Sequence, residues 1–259
     1  MSVSTEKDYA EIPFFIHKKI CYTFRLPDRI NRASVVNNLY TAALLCRGFF
    51  MKILGVLGSP RTKGKCSRLL SRALEGAAST GADVKKIDLI KCTIKYCIDC
   101  RNCWTKNPDL PVGTCVLKDD MAAILDEYIT SDGYIFASPV YDVFVTALMK
   151  TFLERKIALT FREKDDHGKL PGARSPAHFK KMASLIVTAN CTEEFKEVMG
   201  DPCFEAMESH LMIEQVETVD RFYVGGIENI TDKQFAVKLT LAYQAGIRLV
   251  ESIRQAQKQ

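Results

Sequence analysis

Cys97, Cys100 and Cys103 stand three apart in C-I-D-C-R-N-C, and Cys115 follows twelve positions later. Thiolates at i, i+3 and i+6 on a short loop can face one small inorganic centre, and a further cysteine after a variable gap completes four ligands. Three close cysteines plus a remote one is a recurring ligand set for a [4Fe–4S] cluster. Zinc more often takes two separated C-x2-C pairs, or cysteines mixed with histidine. The histidines, His17, His167, His178 and His210, each stand alone. The spacing places a cluster ahead of zinc, and zinc ahead of a loop that merely carries thiols.

A second chemistry-bearing group is the run from Gly58 to Ser67, GSPRTKGKCS, between a predicted strand and a predicted helix. Backbone N–H groups and a helix dipole suit a phosphate there, and Ser59, Arg61, Lys65 and Ser67 add hydroxyls and positive charge. The run is neither G-x-x-x-x-G-K-[ST] nor G-x-G-x-x-G, which disfavours nucleoside triphosphate chemistry and a Rossmann dinucleotide site. Taken alone it reads equally well as a helix cap rich in turn formers. The third group is Ser138-Pro139-Val140-Tyr141 at another strand end. A flavin ring needs a rigid main chain along its polar edge and an apolar face to lie against, which Pro139, Val140 and Tyr141 can supply. Taken alone, that segment is a strand end with a core tyrosine.

These residues need a scaffold, and from Met51 onward the pattern provides one. Residues 52–58 (KILGVLG) form a nearly continuous apolar strand, as expected when both faces are covered. Further strands are predicted over residues 84–90, 133–137, 182–189 and 221–225. Helices are predicted over 64–80, from an Asp119–Asp120 cap to 131, over 146–160 and 202–212, and from a Thr231 cap to 255. Five strands alternating with helices predict an α/β fold, a parallel sheet covered on both faces. Ligands of such open sheets bind at the carboxyl ends of the strands, where Ser59 and Ser138 fall.

Hydrophobic residues make up 47% and charged residues 26% of the 259, ordinary globular usage. Ten cysteines are too few for a disulfide scaffold of this length, so reduced thiols in a cytoplasmic setting are expected. No apolar run approaches the roughly 20 residues that span a bilayer, so no membrane partner is expected. The net charge of +5 is concentrated at the start: residues 1–50 hold seven Lys/Arg against four Asp/Glu, the rest 29 against 27. Without a basic stripe interleaved with aromatics, nucleic acid is not an expected partner either. Residues 1–50 read either as an appended segment covering some surface or as upstream sequence outside the working unit, with Met51 as its start, the second being favoured; residues 51–259 read as one domain carrying a cysteine-rich loop over 92–115.

In order along the chain, G-S-P-R-x-x-G, C-x2-C-x2-C-W, K-D-D-M (residues 118–121), S-P-V-Y and V-G-G (residues 224–226) resemble the iron–sulfur flavoproteins of the NAD(P)H-dependent FMN reductase superfamily. The resemblance implies a flavodoxin-like three-layer sandwich. It also implies that Ser59, Arg61, Gly64, Lys65, Cys66 and Ser67 hold an FMN phosphate, while Pro139, Val140, Tyr141 and Asn190 approach the ring. Cys97, Cys100, Cys103 and Cys115 would ligate a [4Fe–4S] cluster; Cys92 is the substitute fourth ligand, because eleven residues separate Cys103 from Cys115. Trp104 would cover the cluster or simply pack. The implied activity passes electrons between a one-electron carrier such as ferredoxin and FMN, with NAD(P)H a further candidate donor, in a homodimer or homotetramer. No catalytic proton donor is nominated. Two alternatives stand beside it: an NAD(P)H-dependent reductase of FMN, quinones, nitro- or azo-compounds without a cluster, and a structural zinc-binding flavodoxin-like module.

Overall fold

A computed structural model describes residues 9–16, 20–27, 51–103, 110–161, 172–173 and 181–258, in two compact units, Met1–Phe49 and Phe50–Gln259. Trp104 lies outside the described residues. In the first unit Tyr9–Ile16 (β1) and Ile20–Pro27 (β2) pair antiparallel, from Tyr9 opposite Pro27 to Ile16 opposite Ile20.

In the second unit the apolar strand Lys52–Leu57 (β3) is followed by a helix, Lys65–Ser79 (α1), then Asp83–Asp88 (β4) and Met121–Ile129 (α2). Gly133–Tyr141 (β5), Phe144–Val145 (β6) and Ala147–Arg155 (α3) come next. Thr160–Phe161 (β7) pairs antiparallel with Gly172–Ala173 (β8). Met182–Thr188 (β9), Asp201–Ile213 (α4), Glu217–Val224 (β10) and Asp232–Ala256 (α5) complete the chain.

The main sheet runs β10-β9-β5-β3-β4, with every neighbouring pair parallel. Counting these five strands in chain order gives 2-1-3-4-5, the flavodoxin order, whose direction reverses between the first and third strands. That reversal opens a crevice beyond the carboxyl ends of β3 and β5. β3 lies between β5 and β4, and its Ile53, Leu54, Val56 and Leu57 are fully buried because both faces are covered.

On one face α1 and α5 pack with Leu69, Leu70, Ala73, Leu249 and Ile253 in the core. The two helices touch backbone to backbone where Gly76 meets Tyr243 and Gly246 meets Ala73. A Cβ on either glycine would fall 1.9 Å from a carbonyl oxygen. Thr231 and Gln234 close a capping box at the start of α5. On the other face α2, α3 and α4 bury Tyr128, Phe136, Phe152 and Phe204.

The third strand runs past the predicted end at 137 as far as Tyr141, then reverses through Asp142 (φ 51°) and Val143 (φ 60°) into β6. This antiparallel return adds a sixth strand to the five expected. Two left-handed residues make the tight hairpin that Asn-Gly usually signals, and Asp-Val disguises it. Thr146 accepts a hydrogen bond from the Met149 N–H as the cap of α3, which stops at Arg155 before a 3-10 turn, Lys156–Leu159. A π-helical turn, Lys196–Gly200, precedes α4. No helix among the described residues is long and apolar enough to cross a membrane.

Candidate functional site

A cavity of 530 Å³ sits at the reversal point. Ser59, Arg61, Gly64, Lys65 and Cys66 line it from the loop after β3, Pro139, Val140 and Tyr141 from the end of β5, and Asn190 from the loop after β9. Nine of the ten residues expected to hold a flavin phosphate or ring thus border one space. Thr188, Ala189, Cys191, Met199, Ile227 and Glu228 complete it.

The loop's conformation is set locally. The Ser59 Oγ accepts the Arg61 N–H at 3.1 Å, and the Gly64 N–H donates to the Arg61 carbonyl at 3.0 Å. Gly64 caps α1 without any side-chain bond, and the first turn carries no acid. The first-turn N–H groups therefore keep their positive field for an anion, unopposed by a local carboxylate. Lys65 points elsewhere: its Nζ donates to the Ile227 carbonyl at 2.7 Å and tethers the loop after β10 to the helix start. Ser67 does not border the cavity. Its buried hydroxyl donates to the Thr62 carbonyl at 2.6 Å and accepts from the Lys86 Nζ at 2.7 Å, bracing the loop from behind. Cys66 is almost buried on the cavity wall, and desolvation pushes its thiol up to about 12 despite Thr188 and Lys86 nearby.

The cysteines meet in a second cavity, of 390 Å³. Cys97, Cys100, Cys103 and Cys115 all line it, with Leu117, Arg155, Ile157 and His210 among the rest. Cys92 is not part of this lining; it packs against the core with its thiol 3.6 Å from the Asp88 carbonyl. Burial first, then the neighbouring Cys115 and Cys100, pushes the Cys103 thiol up to about 11. His210 is driven down to about 4 by burial and by Lys156 and Lys150, so it is a neutral wall at pH 7. Among the described residues no three Cys, His, Asp or Glu side chains close on a single-ion position. The thiols surround a space, not a point.

What frames this cavity is an ion pair that the sequence did not advertise. Arg155, at the end of α3, and Asp119 have side chains 1% and 0% exposed. The Arg155 guanidinium donates to Asp119 at 2.5 Å and 3.2 Å and to the Lys95 carbonyl at 2.7 Å. Asp119 in turn accepts the Lys95 N–H at 2.9 Å, and Asp120 accepts the Thr93 N–H at 2.7 Å. The Asp119–Asp120 pair read as a helix cap does reach the Met121 N–H, but its larger role is to tie the two ends of the cysteine loop together. Burial alone would raise the Asp119 carboxyl; hydrogen bonds from Arg155, Lys95 and Met121 outweigh it and hold the group below the usual carboxylate range. Burial likewise disfavours the charged guanidinium, yet Asp119 and Cys115 beside it keep its pKa above the ordinary value. The Arg155 Nε is fully buried and has no nitrogen or oxygen partner.

The sequence reading passed over Arg155 altogether, took Asp119 only as a helix cap and left His210 without a role. The pair spans 36 positions, and an arginine at a helix end looks solvent-facing until its burial is known. Beneath it, the fully buried Lys156 lies 3.0 Å from Glu214 and 4.4 Å from the Tyr128 ring centre, so α3, α4 and the sheet lock together under the cavity.

The donor set fits an iron–sulfur cluster. Four thiols line one space, and the Arg155 guanidinium hydrogen-bonds the Cys115 side chain, a contact that a metal-bound thiolate sulfur would accept more strongly than a neutral thiol.

Residues 51–190 match the family described as NADPH-dependent FMN reductase. The chain is 41% identical over 107 residues to an iron–sulfur flavoprotein of Archaeoglobus fulgidus, covering 41% of this chain and 46% of that protein. It is 32% identical over 109 residues to an iron–sulfur flavoprotein of Methanosarcina thermophila, covering 42% of this chain and 54% of that protein. The matched segment thus spans about half the length of each relative. Among solved structures, the fold is similar to that of an NAD(P)H:quinone oxidoreductase from Methanothermobacter marburgensis (TM-score 0.57, 18% identity, 77% of this chain and 98% of that one). It is also similar to that of a flavone reductase (TM-score 0.54, 20% identity, 79% and 63%).

Proposed function

The chain belongs to the NADPH-dependent FMN reductase family, and from that premise we propose that it is a flavin-dependent oxidoreductase holding FMN in the first cavity and a [4Fe–4S] cluster in the second. The observation that carries the proposal is the meeting of all four spaced cysteines on one cavity. FMN exchanges one or two electrons and such a cluster one, so together they can couple a one-electron carrier such as ferredoxin to a two-electron partner. NAD(P)H is a further candidate donor, and a homodimer or homotetramer the expected assembly.

The chain's own contribution is placement. Ser59, Arg61 and the uncapped first turn of α1 hold the phosphate. Lys65 keeps the wall at residues 227–228 against the helix start. Pro139 removes a backbone donor where Val140 and Tyr141 turn along the ring edge, and Asn190 offers an amide from the opposite wall. Cys97, Cys100, Cys103 and Cys115 take iron. Because Cys103 holds its proton up to about pH 11 in the metal-free protein, loading must displace that proton and grows easier as pH rises. The close spacing of three of the four cysteines that line one cavity supports a multi-iron centre over lone zinc.

The test is purification without air, followed by a visible spectrum and assay of FMN, iron, sulfide and zinc. Brown protein with FMN, iron and sulfide is expected. Yellow, iron-free protein that oxidises NAD(P)H rapidly would favour the plain reductase, and zinc-bearing protein that retains no flavin would favour the structural module.

A further inference from the structure

We propose that Arg155 is the positioning residue of the cysteine loop: its guanidinium fastens the loop's two ends and gives an N–H to the sulfur of Cys115. This inference rests on the cluster reading above and assigns a role to a residue outside its ligand set.

The geometry divides the guanidinium among three tasks. One terminal nitrogen reaches both Asp119 and the Lys95 carbonyl, the other terminal nitrogen reaches Asp119 again, and Nε is left over. Lys95 lies two residues before Cys97, and Asp119 lies four residues after Cys115. One side chain thus sets the separation of the two segments that deliver all four thiols. Nε has no nitrogen or oxygen partner, and the guanidinium hydrogen-bonds the Cys115 side chain at the wall of the thiol cavity; since a buried guanidinium N–H without an acceptor is costly, the sulfur is the acceptor that this side chain is placed to serve. Hydrogen bonds to cluster sulfurs raise the reduction potential, because each one offsets the extra negative charge of the reduced state.

Lysine can keep the charge and one contact to Asp119, but its point-like ammonium cannot reach two loop ends and a sulfur together. Methionine keeps the bulk alone. Arg155→Lys and Arg155→Met are made in the full chain, purified anaerobically and reconstituted with iron and sulfide. FMN content reports folding, iron per chain reports the fastening, and the cluster's midpoint potential reports the sulfur contact. In Arg155→Lys, FMN is expected to stay stoichiometric and the midpoint to fall by about 59 mV, a tenfold change in the oxidised-to-reduced ratio. Arg155→Met is expected to lose at least half its iron. Iron content and potential both equal to the parent's in Arg155→Lys would overturn the inference, as would a potential that stays put in whichever variant keeps its iron.

Should both variants lose flavin along with iron, Asp119→Asn decides. It leaves the guanidinium intact and weakens only the fastening, so reduced iron with normal FMN supports the role and normal iron overturns it. A parent protein that binds no iron after reconstitution would instead sink the cluster reading itself, which separates the two failures.

Discussion

At the scale of single residues, the cysteines differ in what surrounds them, and chemistry should sort them. Cys66 is pushed up to about 12 and Cys103 to about 11, so in the metal-free protein both remain thiols at pH 8 and resist alkylation, while exposed Cys97 reacts. Mass-spectrometric mapping of iodoacetamide adducts between pH 7 and pH 10 checks this. The expected labelling of Cys66 is negligible at pH 8 and climbs about tenfold per pH unit while the fold survives. The linkage has the same sign for stability. The unfolded chain releases the Cys66 proton near the ordinary thiol value and the folded one near 12, so this contribution is intact below about pH 9 and is lost as pH rises toward 12. Among the proposed ligands, Cys100→Ala and Cys115→Ala are each expected to abolish or halve bound iron with FMN retained, whereas Cys92→Ala, outside that set, leaves iron unchanged, read by iron and flavin assay. The triplet was legible because its spacing is itself the signal. The partner of Cys115 was not, because a buried Arg155–Asp119 pair leaves no periodicity to read. Lys65 and Ser67 were legible only in part: a sequence names groups able to meet a phosphate but not the carbonyls of Thr62 and Ile227 that hold them instead.

At the scale of elements, alternation of short apolar runs with helical periodicity was enough to place all five parallel strands, since a strand covered on both faces must be apolar throughout. Boundaries failed where local chemistry overrode pattern. Pro139 reads as a strand end, yet β5 keeps pairing with β9 through Pro139 opposite Thr188. The reversal after Tyr141 places the β-branched Val143 at φ 60°, which costs about 1–2 kcal/mol relative to glycine. Val143→Gly is therefore expected to stabilise the protein by about 1 kcal/mol, measured by urea unfolding of the metal-free form. The opposite sign is expected at the helix crossing. Gly246→Ala sets a methyl against the Ala73 carbonyl, and because backbone cannot yield as a side chain does, a loss of about 3 kcal/mol is expected. Loss of the capping box through Thr231→Ala should cost about 1 kcal/mol by the same measurement.

At the scale of the whole molecule, the strand order determines where chemistry can sit. Reversal between the first and third parallel strands opens the crevice, and loops from three strand ends converge there without any one of them carrying a complete site. The unit from Phe50 to Gln259 has its own two-faced core, so a chain trimmed to residues 51–259 is expected to fold and to bind FMN within about twofold of the full chain, checked by flavin fluorescence titration. That outcome would support the reading of residues 1–50 as an extension without a chemical role.

The fastening at Thr93, Lys95, Asp119 and Asp120 has a consequence for how such a protein can diversify. Since those four positions and Arg155 hold the loop at its neck, the closure entropy depends only weakly on what is strung between them; six residues more or fewer change it by about 0.2 kcal/mol. Spacer length between Cys103 and Cys115 is thus nearly free to drift, and foreign peptide could be spliced there while the sheet and its crevice stay as they are.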